Sequence, residues 1–195
     1  MNLPFTNLEI ELGAAALAVI LIVVLVLYRR HRNNKTKAYK DRFGSEYDRA
    51  VITHGSAQKA ESTLAARENR VEALKIRELG PAERERFLVQ WNSLQSRFVD
   101  HPKAAVTEAD DLINALLLAR GYPQNSPQNG FEQRAEDISV TYPMVMENYR
   151  VANAIAVRTG HVEATTEELR TAMIKYRAVF DELIRPSSSV AVNAA

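Results

Sequence analysis

The chain has 195 residues, a formal net charge of +1 and no cysteine. Without cysteine it can form no disulfide, no thiolate nucleophile and no cysteine-ligated metal site. Its 25 basic and 24 acidic residues are unevenly spread, because Arg29, Arg30, Arg32, Glu9 and Glu11 are the only charges before residue 33 and 22 of each sign follow. A nucleic-acid-binding domain carries a basic excess on one face, so this balance argues against nucleic acid as a partner.

Residues 12–28 form an uncharged apolar segment with one glycine and no proline. Seventeen helical residues span about 25 Å, and one more turn through Glu9 and Ile10 approaches the roughly 30 Å hydrocarbon layer of a bilayer. A buried core helix of this length usually has a polar face. A cleaved signal peptide has a basic leader and a small-residue cleavage site. The segment is therefore predicted to be a retained transmembrane helix, or signal-anchor.

Charge is distributed asymmetrically about this segment. Glu9 and Glu11 precede it, whereas arginines and lysines follow it closely. Because basic residues near the ends of a span remain on the cytoplasmic side, residues 1–11 are predicted to form a short extracytoplasmic N-terminus. The C-terminal domain is predicted to lie in the cytoplasm, at the inner (plasma) membrane.

Residues 29–42 are predicted to be a basic juxtamembrane linker or a continuation of the membrane helix. Each cation near the headgroups of an anionic leaflet can gain about 1 kcal/mol. Two interpretations remain open: a stop-transfer flank that only fixes topology, and specific contact with anionic lipid headgroups. The residues predicted to contact the membrane surface are Arg29, Arg30, Arg32, Lys35, Lys37 and Lys40.

Residues 43–185 are predicted to form a helical bundle that contains a long charged helix at residues 56–76. An apolar stripe on that helix, interrupted by Arg67, has coiled-coil-like spacing. The stripe could join two copies of the chain in a homo-oligomer, or it could lay a surface helix on its own domain. It consists of Ala57, Ala60, Leu64, Val71 and Leu74.

The other segments of the bundle also have helical patterns, and no strand pattern is comparably strong, so the fold class is predicted to be all-α. Trp91 lies in the middle of an apolar stripe and is expected to anchor the core. Thr165 and Glu168 form a capping-box pattern at the start of the last helix. The predicted segments are a helix at 43–53, helices beginning at Pro81 and Pro102, a polar loop at 124–130, a helical turn or two at 131–137, helices beginning near Pro143 and Thr166, and a disordered tail at 186–195.

Sequence motifs for chemistry are absent. The chain contains no Glu-x-x-His pair, no glycine-rich phosphate loop and no nucleophile elbow. Glu108, Asp110 and Asp111 are interpreted as a solvated helix face. Tyr149 and Tyr176 follow methionines at the same spacing and are expected to pack in the core with their hydroxyls at a polar edge. We therefore predict no enzyme activity and no catalytic, cofactor-binding or metal-binding residues.

The sequence thus favours a single-pass, membrane-anchored interaction or scaffold protein with an unidentified protein partner. Tethering would raise the effective concentration of the domain for neighbouring partners. The alternative is a membrane-tethered sensor that binds a small ligand between its helices.

Positions 42–184 resemble an uncharacterised family of single-span bacterial proteins that are labelled as membrane or secreted proteins. The resemblance implies the architecture of one span followed by a helical domain, and it implies no activity or site. It rests on residues 42–49 (RFGxEYDR, where x is a position outside the motif), Trp91, residues 97–102 (RFVDxP), residues 120–123 (RGYP), Phe131 with Glu132, and residues 166–177 (TExLRxAMxxYR).

Overall fold

The computed structural model describes residues 7–123, 130–159 and 164–186, with side chains from residue 15 onward. The regular structure within these ranges is entirely helical, which confirms the all-α class. The chain divides into two compact units, Met1–Arg42 and Phe43–Ala195. The elements are α1 (Asn7–Phe43), α2 (Ser45–His54), α3 (Ala57–Glu72), α4 (Pro81–Arg97), α5 (Pro102–Ala119), α6 (Gly130–Thr141), a 3₁₀ helix (Pro143–Val145), α7 (Met146–Thr159) and α8 (Thr166–Ile184).

Helix α1 is continuous through the predicted linker at residues 29–42, so the helical continuation is the alternative that the structure supports. From Ala15 to Tyr28 there are 14 uncharged residues, or about 21 Å of helix. Within the part of the chain whose side chains are described, no helix is sufficiently long and apolar to cross a membrane. The predicted span begins at Leu12, outside that part, and remains a prediction.

In the described part of the second unit, the main apolar core joins α4, α5, α6, α7 and α8. Trp91 is 1% exposed and stacks on Phe180 with their ring centroids 4.7 Å apart, which confirms its predicted role as a core anchor. Helices α4 and α5 begin at the predicted prolines, because proline at the first helical position already has helical φ and needs no acceptor. The Thr165 side chain accepts a hydrogen bond from the Glu168 amide and caps α8 as predicted.

Helices α2 and α3 form a helical hairpin, called here the hairpin, joined at Gly55 and Ser56. Gly55 has φ +75°, a left-handed conformation that glycine adopts without steric cost. Ser56 then accepts a hydrogen bond from the Lys59 amide and begins α3.

The predicted charged helix at 56–76 is present as α3 and is longer than α2, with 16 residues against 10, but it ends at Glu72, four residues before the predicted end. The chain beyond α3 instead runs beside the end of α5, where the Arg77 amide donates to the Arg120 carbonyl at 2.8 Å. This approach requires Gly121, which has φ +98° and at which a Cβ atom would lie 2.6 Å from the Lys75 carbonyl oxygen. The non-helical connection is therefore fixed by a contact between distant parts of the chain.

The apolar stripe of α3 is covered within the chain. Ala60, Leu64 and Val71 are buried, and so is Arg67, which donates to Glu136 of α6 at 2.8 Å. Helix α3 packs against α2 and α6, so the structure supports a helix laid on its own domain and does not support the coiled-coil interpretation.

Two arginines hold the end of α8. The last carbonyls of a helix have no partner within it. Here Arg120 donates to the Leu183 carbonyl at 2.6 Å, and Arg84 donates to the Ile184 carbonyl at 3.1 Å. Helix α6 has 12 residues and is longer than the predicted turn or two. Gly130, predicted to lie in the polar loop at 124–130, begins α6. The rest of that loop, the tail from residue 187 and residues 1–6 of the N-terminus lie outside the described residues.

Candidate functional site

The first candidate site is the apolar surface of α1. Its large apolar side chains from Leu17 to Tyr28 are 50–63% exposed, and they occur at nearly every position of three helical turns. A helix that is apolar on all sides requires a non-aqueous environment or a protein covering. This surface is the largest stretch of uncovered apolar side chains among the described residues.

Four basic residues follow directly, and we call Arg29, Arg30, His31 and Arg32 the collar. All four are exposed. Successive helical residues are about 100° apart, so the four side chains leave the helix in four different directions. The guanidinium groups of Arg29, Arg30 and Arg32 therefore lie on different sides of the helix within one turn, at the point where its apolar surface ends.

The remaining predicted membrane-contact residues, Lys35, Lys37 and Lys40, are exposed on the same helix. Lys35 lies over the Tyr39 ring, 5.9 Å from its centroid. Counted from Arg29, the three lysines lie about 9, 12 and 16 Å further along the axis. Because the Debye length at physiological ionic strength is about 8 Å, their attraction to a surface at the collar should decline in that order.

The second candidate site is a set of buried ion pairs between the hairpin and the core. Glu46 of α2 is 4% exposed and accepts two hydrogen bonds, both 3.1 Å long, from the Arg150 guanidinium of α7. Arg150 also donates to Glu132 of α6 at 2.8 Å. Burial by itself would lower the pKa of Arg150, but the hydrogen bonds and charges of the two carboxylates raise it. The guanidinium is therefore charged throughout the physiological pH range.

A parallel set of pairs joins α3 to α6. Arg67 contacts Glu136 at 2.8 Å, and Arg70 contacts Asp137 at 2.7 Å. Asp137 is 2% exposed. The sequence did not reveal the pairs between the hairpin and the core, Glu46–Arg150, Arg67–Glu136 and Arg70–Asp137. Their members are 67 to 104 residues apart, and no local spacing indicates such partners.

Two tyrosines lie between the core helices. The Tyr176 hydroxyl donates to Asp110 at 3.0 Å, and the Tyr149 hydroxyl accepts from Arg134 at 2.8 Å. Burial raises the pKa of both hydroxyls, which therefore remain protonated. The expected packing with polar hydroxyl contacts is confirmed.

The acidic group on α5 requires one correction. Asp110 is partly buried and accepts hydrogen bonds from Tyr176 and Asn114, so it does not belong to a solvated face. Glu108 pairs with Arg97 at the surface. Burial, with the neighbouring carboxylates, raises the pKa of Asp111. Within the described ranges, no three acidic or histidine side chains are placed to hold a metal ion.

The described part of the bundle has surface grooves, which are the places where a small ligand of the predicted sensor would bind. One of about 430 Å³ lies where α5 and α8 begin and is lined by His101, Lys103 and Thr166. Another of about 400 Å³ runs along α2 beside Glu147. Neither groove contains a buried polar group without a partner among its described lining residues.

Comparison with known proteins gives no relative: no protein-family model, no curated protein and no solved structure matches the chain.

Proposed function

We propose that the chain is a membrane-anchored helical interaction module, with α1 as its single transmembrane anchor. The observation that carries this proposal is the uncovered apolar surface of α1, bounded by the collar. The sequence extends the 14 described apolar residues by Leu12, Gly13 and Ala14, which gives about 25 Å of uncharged helix. Side chains of this kind are stable among acyl chains, and a helix satisfies its own backbone hydrogen bonds there.

The proposed orientation places residues 1–11 outside and the bundle in the cytoplasm. It is supported by the collar on one side of the apolar segment and by Glu9 and Glu11 on the other, according to the positive-inside rule. A tethered bundle would meet partners at the same membrane at an increased effective concentration.

The anchor is tested by washing membranes that contain the full chain with alkaline carbonate. An aspartate at the centre of a transmembrane helix costs about 2.5–3.5 kcal/mol, so we expect Ile20→Asp with Val24→Asp to release the chain into the supernatant. Asn33→Asp with Asn34→Asp adds the same charge to exposed positions of the same helix and should leave the chain in the pellet. Release of the wild-type chain would contradict the anchor.

Orientation is tested by adding protease to spheroplasts that contain the full chain with a C-terminal epitope. The epitope should survive until the membrane is permeabilised. Its loss in sealed spheroplasts would place the bundle on the outer side.

The headgroup contact is tested with the full chain reconstituted in vesicles that contain a fluorescent anionic lipid. Changing Arg29, Arg30 and Arg32 to glutamine should weaken enrichment of that lipid by about 1 kcal/mol per arginine. Changing Lys35, Lys37 and Lys40 to glutamine should have a smaller effect, because these lysines lie about a Debye length or more beyond Arg29. An equal or larger effect of the lysine triple would contradict the collar as the contact site.

The interaction role is tested by cross-linking the wild-type chain in intact cells and capturing it from solubilised membranes. A chain with the same α1 and a scrambled bundle is the control. A partner that is captured with the wild-type chain alone supports the proposal, and identical captures oppose it.

A further inference from the structure

The hairpin and the core are held together by a different kind of contact from the one that holds the core itself. The apolar cluster that unites α4 to α8 contains no side chain of α2 or α3 among the described residues. The hairpin buries its own set, which includes Tyr47, Ala50, Ala60 and Leu64. The two parts meet where α3 packs against α6, and the side-chain contacts with defined hydrogen-bond geometry between them are ion pairs.

Those contacts lie at two positions. At one, the Arg150 guanidinium binds both carboxylate oxygens of Glu46 at 3.1 Å. At the other, Arg67 and Arg70 contact Glu136 and Asp137 at 2.8 and 2.7 Å. Each position joins a different helix of the hairpin to a different helix of the core.

Pairs of this kind cost less to open than an apolar contact of the same size. Docking removes most of the water around Glu46, Arg67 and Asp137, and the attraction within the pairs largely offsets that loss. On opening, the charges regain their hydration, whereas an exposed apolar surface gains nothing comparable. The buried Arg67 Nε–H also lacks an acceptor in the docked state among the described residues, and it would recover one from water.

Chain connectivity makes the hairpin the segment that follows the proposed anchor. Helix α1 ends at Phe43 and α2 begins at Ser45. Gly44 stands between them with φ +52°. The hairpin is therefore the first part of the bundle after α1 along the chain.

We propose that the hairpin is a switch element that undocks from α6 and α7 by breaking these ion pairs while α4 to α8 remain folded. The proposal does not depend on the membrane anchor. Isolated helices shorter than about 12–15 residues are marginal in water, so the undocked α2, with 10 residues, loses its protection. Helix α3, with 16 residues, is only slightly above that limit and loses the covering of α6. In the open state, Arg150 and the carboxylates of α6 become accessible to a competing partner.

Hydrogen exchange of the full chain, followed by mass spectrometry, tests this inference. We expect the amides of α2 and α3 to exchange at least about tenfold faster than the slowest amides of α5 and α8, because sub-global opening requires less free energy than global unfolding. Phe180→Leu destabilises the core beside Trp91 and should accelerate the amides of α8 without changing those of the hairpin. Equal rates in the wild-type chain, or equal acceleration of both parts by Phe180→Leu, would overturn the proposal.

The ion pairs are tested in the same experiment with Glu46→Gln, which keeps the shape and removes the charge. Exchange of the hairpin should be accelerated about 100-fold. Glu108→Gln makes the same change in the exposed pair with Arg97 and should leave the hairpin unchanged. A Glu46→Gln effect no larger than that of Glu108→Gln would show that the pairs do not hold the hairpin.

A second measurement uses the absence of cysteine from the chain. Ala60→Cys in the hairpin and Ala109→Cys in the core both replace alanines with no exposed surface. The thiol at residue 60 should react with an added alkylating reagent at least about tenfold faster than the thiol at residue 109, since labelling requires opening. Equal labelling rates would oppose a separately opening hairpin.

Discussion

The core of α4 to α8 and the hairpin of α2 and α3 are both helical and both buried where they meet, but different forces hold them. Trp91 and Phe180 represent the core, in which stacked apolar side chains exclude water. The ion pairs between the hairpin and the core, called here the joint, include Glu46 and Arg150. In the joint, charged groups bind each other in place of water. Each apolar contact therefore stabilises the core, whereas the ion pairs of the joint fix the position of the hairpin and add little net stability.

The largest expected effect comes from damage to the core. Phe180→Ala removes a fully buried ring and its stack on Trp91, and it should lower the free energy of unfolding by about 3–5 kcal/mol. Chemical denaturation measures this change. Ile174→Ala, at a 59% exposed position of the same helix, is the control and should change stability by less than about 0.5 kcal/mol. A loss below about 1 kcal/mol for Phe180→Ala would contradict a single apolar core.

Substitution at Gly121, where the chain segment after α3 passes the end of α5, should lower stability nearly as much. Gly121→Ala combines left-handed backbone strain with overlap against the Lys75 carbonyl at 2.6 Å, and we expect a loss of about 3 kcal/mol. Gly55→Ala introduces similar strain at φ +75° with nothing within 4 Å of the new Cβ, and should cost about 1–2 kcal/mol. Denaturation of both variants isolates the overlap. Equal losses would mean that the chain near Lys75 moves aside freely.

Breaking the joint should have an intermediate effect. Glu46→Gln leaves Arg150 partly buried beside a neutral amide, and the hairpin should lose about 2–3 kcal/mol of stability. Adding Arg150→Met should restore part of that loss, because it removes a largely buried guanidinium that would retain only Glu132 as a partner. A double-mutant cycle measured by hydrogen exchange of the hairpin gives the coupling. Strictly additive losses would show that the two side chains do not act as a pair.

The smallest effect is a pH dependence at the surface. The side-chain hydrogen bonds from Arg77, with the Gly80 amide, lower the pKa of Glu83 from 4.5 to about 2. A carboxylate whose pKa is depressed in the folded state stabilises it above the unfolded pKa. This contribution is therefore present above about pH 4.5 and is lost as the pH falls towards 2.

Thermal denaturation at several pH values in that range measures how steeply the stability falls with pH. Glu83→Gln should flatten the acid limb, and salt should weaken the wild-type effect because the pair is exposed. Glu85→Gln, two residues further along α4, is the matched control. If stability depended on pH equally in the two variants, Glu83 would not be the cause of the pH dependence.

The two regions also differ in how well the sequence predicts them. In the core, Pro81, Pro102 and Thr165 mark helix starts through local backbone chemistry, and the apolar spacing around Trp91 correctly indicates the buried face. In the hairpin, the sequence shows the apolar stripe but does not show what covers it. Arg67 looks like an interruption of the stripe in the sequence, because nothing near it indicates its partner Glu136, which lies 69 residues away.

The interpretation of Asp110 is wrong for a similar reason. Its sequence neighbours Glu108 and Asp111 suggest a common solvated face, but the Tyr176 hydroxyl that binds Asp110 comes from another helix. Local pattern determines which residues are helical and which face is apolar, whereas the partner of a buried charge depends on how the helices assemble. The membrane-surface role of the collar rests on sequence and exposure and stays a prediction.

The two arginines at the end of α8 set a limit on truncation. Arg120 is 3% exposed and donates to the Leu183 carbonyl, while Arg84 donates to the carbonyl of Ile184. A stop codon before residue 183 would remove both acceptors and leave the Arg120 guanidinium buried without the Leu183 carbonyl, which is costly for a charged group. A chain that ends before residue 183 should therefore also have a loosened C-terminal end of α5, although Arg120 lies 63 residues before Leu183 in the sequence.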